Sequence, residues 1–373
     1  MRHKKSERKK ILWGICGVGM GHAYRQMPII EHLAKHNDIA IITYGNPYDV
    51  YSQKFKNSAN VKVLHATPPY LPDGPKGIGF REAIDLPRNQ NIDFFRVSAS
   101  VFAKLDEVIG SPNLVIGDYE PMCAQYGYAH NAPVITLDQQ SKYLSGDFPE
   151  QINGLSYLGE VMRLQLFYPK AKKRIACSFF NHQARENSHQ VTIVPPIIRQ
   201  EVRSIEPHRK DDGSIIVYLS EYPDITNAIE QLRVTAVRTK TRIKIFAKGI
   251  KAHNKGVDPL ISFHEPDKKT FLRALATCSG IICTAGHSLL SEAMYLGIPV
   301  YALPRQQYEA LLCSQIISEN KFGVSSQNLT EAALIKFIHD IPNYQLNIRL
   351  DSNNALLRED GTKQVIRLIS ACL

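Results

Sequence analysis

Short runs of apolar and β-branched residues alternate with longer helical patterns along the whole chain. In the first half, the apolar runs predict strands at residues 11–16, 39–43, 61–65, 114–117, 134–137 and 191–194. The intervening patterns predict helices at 23–35, 94–109 and 157–168. Strands that alternate with helices indicate βαβ units and a parallel sheet that helices cover on both faces.

The same pattern starts again after a break in the middle of the chain. Pro195 and Pro196 are followed by a polar stretch that ends near residue 213. Further strands are predicted at 215–219, 243–246, 260–263, 280–283 and 299–302, with helices at 225–235, 268–276, 288–296 and 308–319. We therefore expect an arm (1–10), a first α/β domain (11–196), a linker (197–213), a second α/β domain (214–350) and a C-terminal helix (351–373, its pattern clearest from 354). In such sheets ligands bind beyond the carboxyl ends of the strands, so the expected site is a cleft between the domains.

Charge adds one feature to this architecture. The 373-residue chain carries a net charge of +10, and residues 2–10 alone contribute +5. Such an arm is either a solvated tail or a segment attracted to a polyanion, namely an anionic membrane surface or DNA. No apolar run approaches the roughly 20 residues of a membrane span, and the seven cysteines contain no CxxC pair. We expect a cytoplasmic protein without a transmembrane segment; a peripheral position at the membrane stays open.

The first predicted strand leads into a glycine loop that contains Gly17, Gly19 and Gly21 and stands directly before a helix. Glycines permit tight turns and let a ligand approach backbone N–H groups at a helix start. A dinucleotide site would need GxGxxG spacing and an acidic residue at the end of the second strand. The spacing differs, and the second strand ends without a carboxylate, so the loop does not predict NAD binding.

A second strand–turn–helix segment runs through residues 281–293. Its small residues Thr284 to Ser288 offer N–H groups at a helix N-terminus, where the helix dipole favours a pyrophosphate. Leu289, Ala293 and Leu296 would face the core, whereas Ser288 and Glu292, four residues apart, would share another face. A carboxylate there can accept hydrogen bonds from both hydroxyls of a ribose. The alternative is an ordinary helix start with a solvent-exposed glutamate.

These motifs together resemble GT-B glycosyltransferases, especially the peptidoglycan N-acetylglucosaminyltransferase and UDP-glycosyltransferase group. The segment TAGHSLLSEAMYLGIPVYALPRQQYE resembles their donor-binding signature, and GVGMGHAYR resembles their glycine loop with its histidine. The stretch GDYEPMCAQYGYAHNAPVITLDQQ resembles their mid-domain Asp, helix and strand. The resemblance covers about residues 11–330. It implies two Rossmann-like parallel-sheet domains that face each other across a cleft, and a nucleoside diphosphate sugar, with uridine as the expected nucleoside, as donor.

The resemblance also implies roles for individual residues. Thr284, Gly286 and Ser288 would lie at the donor pyrophosphate, and Glu292 would hold the ribose. The remaining members of the expected donor-binding set are His287 and, at the hydroxyls of the transferred sugar, Gln306 and Gln307. The sequence departs from the family pattern at Ala310 and Cys313, which leaves the sugar open. It also departs at Ser220-Glu221-Tyr222, where glycines would be expected.

His22 and Asp118 are the candidate catalytic pair. His22 follows the first strand and its glycine loop, and Asp118 ends a later strand. Because an imidazole titrates near neutral pH, His22 could remove a proton from an acceptor hydroxyl. A carboxylate on its other nitrogen would fix the tautomer, as in other His–Asp pairs. Alternatively, His22 contacts phosphate, Asp118 caps the helix that starts near Pro121, and Glu120 is the base. His264 and His287 show no metal-ligand spacing, so we expect neither a metal nor a cofactor.

The leading hypothesis is an inverting, metal-independent hexosyltransferase that moves a sugar to an acceptor hydroxyl. A sugar-nucleotide 2-epimerase and a non-catalytic nucleotide-sugar binding subunit are the alternatives. The acceptor would be selected by residues 67–91 and 139–154. A lipid-linked or cell-envelope saccharide and a hydroxylated base in DNA both suit the basic arm, and small molecules stay open.

Overall fold

The computed structural model describes residues 8–67, 71–74, 77–78, 81, 94–186, 190–219, 225–250, 259–352 and 354–373. The chain divides into two compact units. The first contains the described residues up to Ser178, together with His182–Ile197 and Asp360–Leu373. The second contains Phe179–Asn181 and Ile198–Glu359. The C-terminal segment thus returns to the unit in which the chain starts.

The first unit is built on a parallel sheet with the strand order β11-β10-β7-β6-β1-β2-β3. The strands of this unit are β1 (Lys9–Ile15), β2 (Asn37–Thr43), β3 (Val61–His65), β4 (Asp73–Gly74), β5 (Gly77–Ile78), β6 (Leu114–Asp118), β7 (Val134–Asp138), β8 (Gln151–Ile152), β9 (Leu155–Ser156), β10 (Lys173–Cys177) and β11 (Val191–Val194). The six strands predicted for this half are all present. Only three apolar residues follow the two basic residues at the start of β10, which is too short a run to reveal that strand in the sequence.

Helices cover both faces of this sheet. They are α1 (Gly21–Leu33), α2 (Gly45–Lys54), α3 (Phe94–Val108), α4 (Pro121–Ala129) and α5 (Leu158–Phe167), with a 3₁₀ helix at Gln140–Leu144. Successive β1 residues enter opposite cores: Ile11 and Trp13 pack on one face, and Leu12 packs on the other. This alternation inside an unbroken apolar strand is what a sheet covered on both sides requires.

The second unit repeats the design on a parallel sheet with the order β14-β13-β12-β15-β16-β17. Its strands are β12 (Ser214–Tyr218), β13 (Ile243–Phe246), β14 (Ile261–His264), β15 (Cys278–Cys283), β16 (Val300–Ala302) and β17 (Gly323–Ser325). Its helices are α6 (Gln200–Ile205), α7 (Ile225–Thr239), α8 (Lys268–Leu275), α9 (His287–Tyr295), α10 (Tyr308–Glu319) and α11 (Glu331–Leu350). A 3₁₀ helix at Glu206–His208 follows α6. The α/β class predicted from the sequence is therefore confirmed.

Each sheet has one point at which the strand order reverses. In the first unit β1 pairs with both β2 and β6, and in the second β12 pairs with both β13 and β15. At such a switch point the connections leave in opposite directions and open a crevice at the carboxyl ends of the strands. Asp118 ends β6, and Thr284 follows β15 directly.

The chain termini and the mid-chain segment differ from expectation. The helix predicted from 354 onwards is confined to α12 (Thr362–Ser370), whose N-cap is Gly361, and α12 packs beside α1 with Val365 and Ile369 in the first unit's core. The expected linker 197–213 contains α6, and α11 was not anticipated. These pieces depend on tertiary partners that are distant in the sequence.

The predicted arm is shorter than expected, because Lys9 and Lys10 belong to β1. Arg8 is also tied to the fold: its guanidinium donates to the carbonyls of Ala34 (2.8 Å) and Asn37 (2.5 Å) and to Asp38 (2.7 Å). Residues 1–7, which carry the rest of the arm's charge, lie outside the described residues. Among the helices that the structure describes, none has the length and apolar character of a membrane span.

Candidate functional site

His22 and Asp118 meet at the switch point of the first unit. His22 is the second residue of α1, and Asp118 is the last residue of β6. The His22 Nδ1 atom lies 3.0 Å from Asp118 Oδ1, and the Asp118 carboxylate is fully buried. Two residues 96 positions apart in the sequence therefore form the hydrogen-bonded pair that the motif predicted.

Two residues of α1 that the sequence analysis missed complete this group. Arg25 Nη2 lies 2.7 Å and 2.9 Å from the two oxygens of Asp118, and Gln26 Nε2 donates to Oδ2 at 2.7 Å. Burial alone would raise the pKa of the Asp118 carboxyl, but the charge of Arg25, with His22 and Gln26, more than offsets it, so the net pKa is lowered. The i, i+3 spacing of His22 and Arg25 on one helix was the available signal.

Glu120, the alternative base, is instead the N-cap of α4. It is fully buried, and its two oxygens accept the N–H groups of Met122 and Cys123 at 2.9 Å each. Burial raises its pKa to about 7, although the two backbone N–H groups act in the opposite direction. The capping role that was the alternative for Asp118 thus belongs to Glu120, and Asp118 is left for His22.

The glycine loop shapes the approach to His22. A Cβ on Gly17 would lie 2.1 Å from the carbonyl oxygen of Tyr44, so only glycine fits this close contact. Gly19 has φ +72°, a left-handed conformation that side chains rarely adopt. Gly21 is the first residue of α1. The loop therefore places His22 directly after a tight turn at the carboxyl end of β1.

The donor motif forms the corresponding turn of the second unit. Thr284 is buried, Ala285 is held at φ +57°, and Gly286 is the exposed N-cap of α9. No described side chain caps this helix start, and its first intrahelical bond runs from Leu290 N to Gly286 O. The N–H groups of the first turn, which include that of the half-buried Ser288, thus point out of an uncapped helix end beside a glycine.

Other members of the predicted donor set lie in different surroundings. The His287 side chain is buried, packs 5.1 Å from the Phe179 ring and lies 3.2 Å from Ser291 Oγ, so only its backbone N–H faces the helix N-terminus. Gln306 is exposed and donates to Gln327 at 3.2 Å, while the exposed Gln307 is the N-cap of α10. The structure therefore groups Thr284, Gly286 and Ser288 but separates the side chain of His287 from them.

Glu292 lies on α9 and forms a buried ion pair that the sequence did not reveal. Arg199 Nε lies 2.6 Å from its Oε1, and Arg199 Nη2 donates to Oε2 at 2.8 Å. Burial raises the pKa of the Glu292 carboxyl, and the opposing charge of Arg199 only partly offsets this. Arg199 immediately precedes α6, 93 residues away from Glu292, so no local pattern could have paired them.

Two ligand predictions concern residues 220–222 and the absence of a metal site. Residues 220–222, where the sequence departs from the glycines of the family pattern, lie outside the described residues. Within the described ranges there is no group of three or more His, Cys, Asp or Glu side chains arranged to hold a metal ion. The seven cysteines are free thiols, and burial raises the pKa of Cys177 and Cys283 to about 12.

Several solved structures share the fold of this chain. The chain aligns with Phytolacca americana UGT2 complexed with UDP-2fluoro-glucose and pterostilbene at a TM-score of 0.66, with 12% identity, over 97% of this chain and 99% of that chain. It aligns with SsfS6, a Streptomyces sp. SF2575 glycosyltransferase, at 0.62, with 14% identity, over 97% and 100%. For CalG4, the calicheamicin glycosyltransferase, the TM-score is 0.63 and the identity 14%, over 98% of each chain.

These likenesses confirm the GT-B fold expected from the sequence. Among curated proteins, none matches the sequence. The sequence model of glycosyl transferase family 1 matches residues 9–71 and 81–342, most of the chain and both units. The chain, with its His22–Asp118 pair and its uncapped α9 turn, is a glycosyltransferase and belongs to glycosyl transferase family 1.

Proposed function

We propose that this glycosyltransferase moves a sugar from a nucleoside diphosphate sugar, with UDP as the nucleotide, to an acceptor hydroxyl with inversion and without a metal ion. The observation that carries the proposal is the hydrogen bond between His22 and Asp118. It gives the chain a histidine whose Nδ1 is engaged by a buried carboxylate and whose Nε2 can act as a base.

The proposed reaction is a single displacement. His22 Nε2 accepts the proton of the acceptor hydroxyl while the acceptor oxygen attacks the anomeric carbon from the face opposite the leaving group. The bond between that carbon and the diphosphate oxygen breaks, and the electron pair leaves with the nucleoside diphosphate. A single displacement inverts the anomeric configuration, and Asp118 stabilises the imidazolium that forms on His22.

The second unit supplies the proposed donor contacts. The N-terminus of α9 has no side-chain cap and offers backbone N–H groups and the positive end of a helix dipole, which suit the negative charge of a diphosphate without a metal ion. Glu292 is the proposed ribose ligand, because the two carboxylate oxygens that bond Arg199 retain further lone pairs for hydroxyl donors. The similar structure of Phytolacca americana UGT2, which is complexed with UDP-2fluoro-glucose, supports uridine as the nucleoside.

Three classes of acceptor are proposed. Neighbours named for calicheamicin and for a complex with pterostilbene favour a small hydroxylated molecule. The basic arm suits a lipid-linked or cell-envelope saccharide, or a hydroxylated base in DNA. Membership of a glycosyltransferase family supports transfer over 2-epimerisation and over a non-catalytic binding role.

The test is a screen for nucleotide release. UDP-linked and dTDP-linked sugars are incubated with each acceptor class, with and without EDTA, and products are identified by mass spectrometry. We expect UDP release that depends on one acceptor class and persists in EDTA, and an anomeric coupling in the NMR spectrum of the product that shows inversion. Retention of configuration, or activity that EDTA abolishes and Mg²⁺ restores, would contradict the proposed chemistry.

A further inference from the structure

Arg25 is the most deeply placed cation at the His22–Asp118 pair. It lies one turn after His22 on α1, and only 4% of its surface is exposed. Its Nη2 atom lies 3.0 Å from His22 Nδ1 as well as 2.7 Å and 2.9 Å from the two oxygens of Asp118. One nitrogen of Arg25 therefore contacts both members of the pair.

The hydrogens available between Arg25, Asp118 and His22 determine which ring nitrogen of His22 is protonated. Nη2 carries two hydrogens, and the two carboxylate oxygens of Asp118 are stronger acceptors for them than a neutral imidazole nitrogen. Asp118 is ionised beside Arg25 and offers only lone pairs to His22, so the 3.0 Å contact between His22 Nδ1 and Asp118 Oδ1 requires a hydrogen on Nδ1. His22 Nε2 then carries a free lone pair, which is the form that can accept a proton.

The charge of Arg25 acts in the same direction. A guanidinium keeps its charge throughout the physiological range, and a cation 3.0 Å from the imidazole opposes the formation of imidazolium. Asp118 favours imidazolium, so the buried Arg25–Asp118 pair is close to neutral as seen from His22.

We propose that Arg25 is a positioning residue that keeps Asp118 ionised and holds His22 as the neutral Nδ1–H tautomer, ready to accept a proton at Nε2. The inference rests on the proposed role of His22 as base. It adds a third member to the pair and assigns a function to a cation that no motif singled out.

Asp118 is the carboxylate that Arg25 binds. Within the part of the chain that the structure describes, the hydrogen bonds of Arg25 all leave from Nη2. Asp138 is also buried nearby, but its oxygens accept the Ser141 N–H and hydroxyl, and burial raises its pKa. Among the described residues, the titratable groups that interact electrostatically with the Arg25–Asp118 pair are His22 on the same helix and, from other elements, Cys16, Tyr51, Asp138, Tyr168 and Cys177.

The test compares the pH dependence of kcat/KM in Arg25→Met, Arg25→Lys and the wild-type enzyme. Removing the cation should move the acid limb, on which the base becomes protonated, to higher pH by about one unit or more. Arg25→Lys retains the charge and should bring the limb back toward its wild-type position. Gln26→Met is the matched control, because it removes a neutral donor to Asp118 and should shift the limb much less.

A purely structural role for Arg25 predicts a different result. Arg25→Met would then lower kcat/KM equally at every pH, Arg25→Lys would not restore the limb, and the proposal would be overturned. If Arg25→Met does not fold, the wild-type protein still decides, because ¹⁵N NMR of labelled histidines, with His22→Gln used for assignment, reports the tautomer directly. Hydrogen on Nε2 in place of Nδ1 would overturn the proposal.

The NMR arm also separates this inference from the proposed function. It needs no turnover, so the tautomer of His22 is measured even if no donor and acceptor pair supports transfer. Transfer activity with an unmoved acid limb would contradict the role of Arg25 alone. Loss of the proposed function with a confirmed Nδ1–H tautomer would leave the Arg25 geometry intact.

Discussion

The two switch points of the molecule share a backbone design and differ in what occupies the helix that follows. After β6 and after β15, a non-glycine residue adopts a left-handed conformation, Tyr119 with φ 58° and Ala285 with φ 57°. The next residue in each case is the N-cap of a helix. In α4 this cap is the buried carboxylate of Glu120, whereas in α9 it is Gly286, which carries no side chain.

The difference between the two helix N-termini matches the proposed division of roles, with proton transfer in the first unit and diphosphate binding in the second. The first N–H groups of α4 already donate to the Glu120 side chain, so this helix end is capped, and the first unit presents the side chains His22 and Asp118 instead. The N-terminus of α9 is left uncapped and can take a phosphate. Under the proposed function, equivalent positions in two similar units have complementary tasks.

The two buried arginine–carboxylate pairs show the same division. At Asp118, Arg25 together with His22 and Gln26 offsets the cost of burial, and the pKa of the carboxyl is lowered, which keeps it charged beside His22. At Glu292, burial outweighs Arg199, and the pKa of the carboxyl is raised. A permanent carboxylate suits stabilisation of imidazolium, whereas the proposed role of Glu292 as a ribose ligand needs only acceptor oxygens for neutral hydroxyls.

The largest effect is expected at the first switch point. His22→Ala should lower kcat by roughly 10²–10⁴, because the acceptor hydroxyl loses its base. Asp118→Asn should cause a smaller loss, and the double variant should cost little more than His22→Ala alone, since the two residues act as one unit. Steady-state kinetics with saturating donor measure this; additive losses would show that the pair does not work as a unit.

An intermediate effect is expected at Glu292. Glu292→Gln should weaken UDP binding roughly ten- to a hundredfold, because the amide has only one acceptor oxygen and its NH2 group cannot accept a hydrogen bond from the second ribose hydroxyl. A UDP analogue without the 2′ and 3′ hydroxyls is the matched ligand, and it should bind the wild-type and variant proteins equally. Since Arg199 also loses its partner, the unfolding temperature is recorded alongside calorimetry. Equal UDP affinity in both proteins would remove Glu292 from the ribose.

A smaller effect should follow from giving α9 the kind of cap that α4 has. A Cβ on Gly286 would meet no atom within 4 Å, so Gly286→Asp should fold normally. The added carboxylate should occupy the helix N-terminus and weaken UDP binding about tenfold, with Gly286→Asn as the neutral control that loses less. UDP affinity that is unchanged in Gly286→Asp would show that the diphosphate binds elsewhere.

The sequence revealed the features that are encoded locally. Strand runs, the glycine loop and the TAGHS turn stand in short contiguous segments, and the roles that the resemblance attaches to them pair His22 with Asp118 from the sequence alone. Arg25 carried a weak local signal, since it lies three residues after His22 on the same helix. The confinement of the terminal helix to α12 depends on packing against α1, which no local pattern encodes.

Other features could not be predicted because they join distant segments. The Arg199–Glu292 pair links residues 93 positions apart, and an isolated arginine before a short helix gives no hint of its partner. Glu120 and Asp118 are two residues apart and chemically alike, so the sequence could not decide which of them caps α4. That decision depends on side-chain directions after the left-handed Tyr119, which only the folded backbone fixes.

The division of tasks between the units is tested most directly by one calorimetric series in which UDP is titrated into the wild-type, His22→Ala and Gly286→Asp proteins. The account predicts that His22→Ala binds UDP with wild-type affinity although its kcat has collapsed, while Gly286→Asp binds more weakly. Loss of UDP affinity in His22→Ala would contradict it, because the histidine would then be a phosphate ligand and not the base.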